Sequence, residues 1–469
     1  MNYKKGIAYV FFATGLGFLI NLVTSFILPK ILSVEAYADI KLYQLYINYI
    51  GILHLGFSDG MYLRIGGKNV SELDKNQLVT EFKTFKIFQL TIDVIAVIVS
   101  IILKNDILLI VSISILPVNI INYLRNLYQA TGLFDLYSKF TTLNNVMLFL
   151  LNLFLLFIVK TNNATYYIFG QLIVYVINWI LIESIIKSKI FKGSKGKLFD
   201  IKYLFNDIKD GFLLMLGNFC TILFTSIDRM FVKNILGIAK FAYYSFAVSV
   251  EGLLNVFITP ISVTMYNYLC KNNSVGKVKH VKSLLLICTA VLLASAFPVK
   301  FVINGYITKY SEASNIIFIL FAAQFISILI RCINNNLYKA EKKQNRYFFI
   351  IIFVTILSII TDVISYKIYN TNEGYAIATL ITCIIWFIIV ERDFISYRYN
   401  LKEYIFILAI IVSFLITGLY INNAIIGFVV YVAILILMIL LLLKKDFIYL
   451  VKEVHKTINK FKNKLIKMK

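Results

Sequence analysis

Residues 403–443 read EYIFILAIIVSFLITGLYINNAIIGFVVYVAILILMILLLL. Two apolar runs flank Ile421-Asn422-Asn423, and each is near the length, about 20 residues, that a helix needs to cross the hydrocarbon of a bilayer. The strands of a transmembrane barrel alternate apolar and polar residues; these runs do not. The pattern recurs along a chain of 469 residues that is 60% hydrophobic and 15% charged, with four prolines. Soluble domains are about 45–50% apolar and about 25% charged. The composition therefore excludes a soluble globular protein and a disordered chain, and it predicts an all-α polytopic membrane protein.

Working outward from 403–421 and 424–443, twelve further segments meet the same criterion. They are 7–28, 41–63, 84–103, 107–130, 140–159, 164–187, 211–233, 241–269, 283–303, 313–338, 347–368 and 374–391. No small-residue cleavage pattern follows the first, so it is read as a true span and not as a signal peptide. Charge supports the count of fourteen. With both termini cytoplasmic, the inner segments carry 35 of the 47 Lys and Arg residues, and the outer ones 9. Inner loops of multi-pass proteins are enriched in this way. The net charge of +23 is thereby assigned to topology and to anionic phospholipid headgroups, with no nucleic acid partner expected.

The longest loops, 64–83 and 188–210, both fall inside. The second is Lys- and Gly-containing and divides the spans six plus eight. The expected organisation is a six-helix bundle over 1–190, a cytoplasmic linker with an interfacial helix over 191–210, and a second six-helix bundle over 211–395. Two extra transmembrane helices over 396–445 and a basic amphipathic tail over 446–469 complete it. In the tail Phe447, Val451, Val454, Ile458, Phe461, Leu465 and Met468 alternate spacings of four and three, which suits a helix lying on an anionic leaflet. Ile31-Leu32-Ser33-Val34-Glu35-Ala36-Tyr37-Ala38 is echoed by Ile235-Leu236-Gly237-Ile238-Ala239-Lys240-Phe241-Ala242, and Leu127-Tyr128-Gln129-Ala130 by Leu337-Tyr338-Lys339-Ala340. Both offsets are close to six spans, which predicts a parallel pseudo-repeat.

No enzyme motif survives. Gly67-Lys68, Gly196-Lys197 and Gly276-Lys277 have Tyr62, Phe191 and Lys271 where a P-loop needs its first glycine. The three histidines are scattered and the five cysteines read as small apolar residues, so no metal and no cofactor is expected. The informative residues are charges inside spans, which are costly unless they face a polar interior. Arg125, Arg229 and Arg331 within spans, with Arg64 at the cytoplasmic end of the second, predict a cationic cavity, because guanidinium groups bind phosphate through paired hydrogen bonds; a lipid diphosphate is the natural anionic ligand. Asp59, Asp93, Asp228, Glu251 and Asp362 could balance these cations or bind a coupling proton or sodium ion. The plainer reading is that Asp228 and Arg229 are structural and that Arg64 snorkels to headgroups.

The chain resembles the polysaccharide (O-antigen and capsule type) flippases of the multidrug/oligosaccharidyl-lipid/polysaccharide exporter superfamily. The resemblance is carried by Asn21 with Leu28-Pro29-Lys30-Ile31-Leu32-Ser33 and Glu35-Ala36-Tyr37, by Leu55-Gly56-Phe57 with Arg64, and by Leu127-Tyr128-Gln129-Ala130-Thr131-Gly132. It is carried most specifically by Ser226-Ile227-Asp228-Arg229-Met230 through Ile235-Leu236-Gly237 to Tyr244-Ser245-Phe246-Ala247. Ala38 stands where glycine is commoner in that family. The resemblance covers the whole length. It implies two six-helix bundles around a central cavity and alternating access with ion coupling in a bacterial cytoplasmic membrane. The implied cargo is an undecaprenyl-diphosphate-linked oligosaccharide, moved from the cytoplasmic to the outer leaflet for surface polysaccharide synthesis, with a polysaccharide polymerase as a partner. Alternative readings are a lipid-linked peptidoglycan precursor flippase and a multidrug or cation antiporter of the same superfamily. A membrane enzyme of polysaccharide assembly fits less well, because no external loop is long enough to carry catalytic groups.

Overall fold

The computed structural model describes residues 3–449 except 257, 259–260, 263–264, 266–268 and 270–274. The expected amphipathic tail lies mostly outside the described residues. Among them nearly every residue is helical and none is in a strand. Among the described residues ten helices are long and apolar enough to cross a membrane, or eleven if the pair bent by 57° is one span.

By packing, the chain forms two units, Met1–Ser245 and Phe246–Lys469. The first contains α1 (Tyr3–Ile31), α2 (Val34–Tyr49), α3 (Phe57–Ile65), α4 (Lys75–Ile102), α5 (Asp106–Ala130), α6 (Phe134–Leu153), α7 (Ala164–Lys189), α8 (Ile201–Phe224) and α9 (Ile227–Phe231). α10 (Ile238–Glu251) runs across the division. The second unit contains α11 (Val275–Leu293), α12 (Ala296–Tyr306), α13 (Ala313–Leu329), α14 (Asn335–Ala340), α15 (Gln344–Ile368), α16 (Asn372–Asp393), α17 (Leu401–Tyr420) and α18 (Ala424–Leu442).

The polar residues of the short loops start these helices. Asp74, Asn105, Asn163, Asp200, Thr371, Asn400 and Asn423 each accept a hydrogen bond from a backbone N–H in the first turn of the helix that follows. Such caps satisfy donors that the helix leaves open. Pro117 sits within α5, and the Leu116 N–H beside it donates to Asp93 Oδ1 of α4 at 3.2 Å.

Two expected spans of the first unit are interrupted. The segment 41–63 is α2, a 3-10 turn at Ile50–His54, and α3, parted where Leu55 (φ 50°) and Gly56 (φ 93°) take left-handed backbone. The segment 211–233 bends between α8 and α9, at Thr225 and Ser226. Residues 201–205 form the first turns of α8, with Ile201 and Phe205 exposed.

α3 crosses α8 backbone against backbone. A β-carbon on Gly60 would overlap the Asp207 carbonyl, and one on Gly211 would overlap Gly56 and the Gly60 amide. Small residues four apart permit this approach between membrane helices. In the second unit α13 is buried along its length. Lys282 and Glu391 form an ion pair of 2.7 Å there, 1% and 4% exposed.

Candidate functional site

The first unit encloses two adjoining cavities of about 240 and 340 Å³. They share Gly51, Asn122, Arg125 and Ile222. The smaller is lined also by His54, Asp59, Asn126, Gln129, Tyr137 and Asn218, the larger by Asn48, Asn144, Tyr175 and Asn178. Five of α2 to α8 thus contribute carboxamides: Asn48 from α2, Asn122, Asn126 and Gln129 from α5, Asn144 from α6, Asn178 from α7 and Asn218 from α8.

Arg125 stands at the junction. Its guanidinium carbon lies 5.3 Å from the centre of the Tyr137 ring, a cation–π distance. Its Nε is buried without a hydrogen-bond partner, and it makes no ion pair among the described residues. A charge-assisted hydrogen bond to an ionised acceptor is about twice as strong as a neutral one, so this guanidinium is poised for an anion. Asn178 Nδ2 donates to Asn144 Oδ1 at 3.3 Å and to the Val174 carbonyl at 3.0 Å, while Asn178 Oδ1 is buried and open. Asn126 Nδ2 donates to Ser58 Oγ at 3.0 Å. Carboxamides offer both donors and acceptors, the capacity that hydroxyl and acetamido groups need.

The other sequence-predicted residues are placed differently. Arg64 lines neither cavity. Its Nη2 donates to Glu81 Oε2 at 2.7 Å, and Nε and Nη2 donate to the two Asp207 oxygens at 3.2 Å each. Both carboxylates are buried, so Arg64 ties α3 to α4 and α8. Arg229 donates to the Thr225 carbonyl at 3.4 Å and keeps its Nε buried without a hydrogen bond. Its neighbour Asp228 accepts from Tyr244 Oη at 2.7 Å. Nearby, Tyr49 Oη and Ser226 Oγ share a 2.6 Å hydrogen bond.

In the second unit, Arg331 lies in a π turn at Ile330–Asn334, and its Nη1 donates to Asn255 Oδ1 at 2.9 Å. Asp362 is buried within α15 and Glu251 ends α10. Asp93, already engaged at the Pro117 kink, lines neither cavity. Of the nine charged residues singled out from the sequence, Arg125 and Asp59 share a cavity.

Sequence reasoning missed the carboxamides and His54. For α5 a signal existed: Asn119, Asn122, Asn126 and Gln129 are spaced three, four and three, a single helix face beside Arg125. Asn119 uses that face to donate to Gln89 Oε1 at 2.7 Å.

No family model and no curated relative matches the chain. Its fold is that of solved transporters. It is similar to the lipid II flippase MurJ in an inward closed conformation, at a TM-score of 0.67 and 16% identity, over 92% of this chain and 97% of that one. It is similar to a multidrug resistance MATE family transporter of the MOP superfamily in an inward-facing conformation, at a TM-score of 0.61 and 12% identity, over 83% and 95%. A third likeness, at a TM-score of 0.53, 14% identity and coverage of 87% and 97%, is to a MOP superfamily transporter from Pyrococcus furiosus whose binding pocket is described as having reversed polarity.

Proposed function

We propose that this chain is a flippase that moves a lipid-diphosphate-linked oligosaccharide across a membrane by alternating access. The observation that carries the reading is the Arg125 guanidinium, without an ion pair among the described residues, at the junction of two cavities lined between them by seven carboxamides. A phosphorylated sugar headgroup loses much of its hydration in crossing the hydrocarbon, at a cost of several kcal/mol for each unsatisfied polar group. A guanidinium for the phosphate and carboxamides for the hydroxyls replace that water, while the lipid tail stays in the bilayer.

The fold likeness to transporters supports the same class of activity. In this reading the carrier is undecaprenyl diphosphate and the movement runs from the cytoplasmic to the outer leaflet of a bacterial cytoplasmic membrane. Both termini and the Lys-rich loops face the cytoplasm and its anionic phospholipids, and a surface-polysaccharide polymerase receives the product. Arg331, considered on the second unit alone, is proposed as a cation suited to the same class of anion. Transport is coupled to a proton or sodium ion in this reading, and Asp59, which lines the smaller cavity, is the proposed sensor.

A second reading has a specific observation behind it. The likeness to a protein named as a lipid II flippase makes a lipid-linked peptidoglycan precursor an equally suitable cargo. A cationic drug fits the Arg125 cavity poorly, since like charges repel.

Deletion of the gene in its own bacterium, followed by lipid extraction, tests the proposal. The expected result is undecaprenyl-diphosphate oligosaccharide accumulating on the cytoplasmic leaflet, with surface polymer lost. Cell-wall precursor accumulating instead would select the second reading. Changed drug tolerance with no lipid intermediate would overturn both.

A further inference from the structure

His54 ends the 3-10 turn that interrupts α2 and α3, and its side chain lines the smaller cavity with Asp59 and Arg125. The Gly56 N–H donates to His54 Nδ1 at 3.0 Å. Nδ1 is therefore the accepting nitrogen, and the neutral ring carries its proton on Nε2. Nε2 faces Asp59 Oδ2 at 3.7 Å, within reach of an ion pair once the ring is charged. The hydrogen bond to Nδ1 closes over Leu55 and Gly56, both in left-handed backbone. Leu55 pays for that conformation, since only glycine adopts it freely. Gly56 is also one of the three glycines through which α3 meets α8.

We propose that His54 is a proton-binding site of the transport cycle, and that protonation at Nδ1 opens the turn that holds α3 against α8. A hydronium ion in the cavity gives its proton to the Nδ1 lone pair: one O–H bond breaks, one N–H bond forms, a water molecule leaves, and the imidazolium has donors on both nitrogens. The Gly56 N–H then faces a second N–H, so the hydrogen bond cannot persist and the ring must turn away. The imidazolium gains the Asp59 carboxylate as its partner. The left-handed pair loses this side-chain support, and the glycine contact with Gly211 is released with it.

The charges around the ring set the balance. Asp59 on α3 favours the proton. Arg125 on α5 opposes it from across the cavity, where Tyr137 of α6 contributes a neutral phenol. On α8, Asp207 is held by Arg64, which also binds Glu81 of α4, and Asp210 lies close to Asp207. This proposal stands apart from the identity of the cargo, and its test needs none.

The full chain in detergent micelles, labelled with ¹⁵N at histidine, gives three side-chain signals to follow; His54→Gln identifies the one that belongs to His54. As the pH is lowered from about 8 through and below the ordinary histidine range, Nδ1 of His54 is expected to go from unprotonated to protonated. Hydrogen exchange over residues 50–62, corrected for the intrinsic effect of pH, is followed in parallel. Protection at this turn is expected to fall about tenfold across the same titration, the weight of one hydrogen bond. In His54→Gln the carboxamide oxygen can still accept from Gly56 but binds no proton, so protection is expected to stay flat. A neutral His54 with its proton on Nδ1 would overturn the proposal, using the wild-type chain alone. Wild-type protection that is indifferent to His54 titration, or an equal fall in His54→Gln, would overturn it too. Failure of the cargo reading would show instead in the lipid extracts.

Discussion

Arg64 of α3 grips Asp207 of α8 through two hydrogen bonds of 3.2 Å, and its remaining reach goes to Glu81 of α4. One cation thus holds two buried carboxylates across three helices. Removing it leaves both without a counter-charge, and breaking a buried pair from one side costs about 3–5 kcal/mol. Arg64 is itself partly exposed, which brings the expected cost to the lower end of that range. Arg64→Gln is expected to lower the thermal unfolding midpoint in detergent well below that of Arg64→Lys, which keeps the charge. Equal midpoints for the two would show that geometry, not charge, carries the contact.

The glycine crossing makes a sharper prediction. Gly60→Ala and Gly211→Ala each place a methyl group into opposing backbone, and overpacking of this kind costs about 1–3 kcal/mol or more. Gly305→Ala, with nothing within reach of its β-carbon, is the control. Loss of folded protein on size-exclusion chromatography is expected for the first two and not for the third.

These contacts mark the limit of what the sequence makes legible. Segments such as 313–338 and 347–368 can be read as helices because their apolar length and the charges at their ends are local properties. The break at Leu55 and Gly56 is only partly local: His54 beside it accepts the Gly56 N–H, while the α8 backbone that packs on Gly56 and Gly60 comes from far along the chain. Arg64 is separated from Asp207 by 143 residues, and nothing near it in sequence distinguishes an engaged guanidinium from a free one. For that reason Arg64 and Arg125 look alike in the sequence and differ in the fold. The α5 stripe of Asn122, Asn126 and Gln129 was readable as a polar helix face; Asn48, Asn144, Asn178 and Asn218 join it only once the helices pack.

Lys282 and Glu391 are a buried pair of the second unit. Glu391 also accepts from Asn334 Nδ2, the Tyr399 N–H and Tyr404 Oη. Lys282→Met should destabilise the second unit by about 3–5 kcal/mol, because a carboxylate is left buried and unpaired. Lys282→Met combined with Glu391→Leu should recover much of that loss. A double variant no better than the single one would contradict a charge origin. Thermal unfolding of the three proteins side by side is the measurement.

Asn144 and Asn178 bond to each other in the larger cavity. Replacing both by leucine removes donor and acceptor together, so stability should change by no more than about 1 kcal/mol. Transport should nevertheless fail, because the hydroxyl-binding surface is gone. Restored surface polymer in cells carrying only the double variant would remove these two residues from the cargo path.

The central claim is that Arg125 holds the phosphate of a lipid carrier. The most direct measurement is binding of undecaprenyl diphosphate, with undecaprenol as the uncharged control, to the purified chain in nanodiscs. The wild type is expected to prefer the diphosphate. Arg125→Gln is expected to lose about 1.5–3 kcal/mol of that preference, the weight of hydrogen bonds to a charged group, while its thermal midpoint stays close to wild type. Equal binding of the alcohol and the diphosphate, or an Arg125→Gln variant that binds the diphosphate as the wild type does, would contradict it.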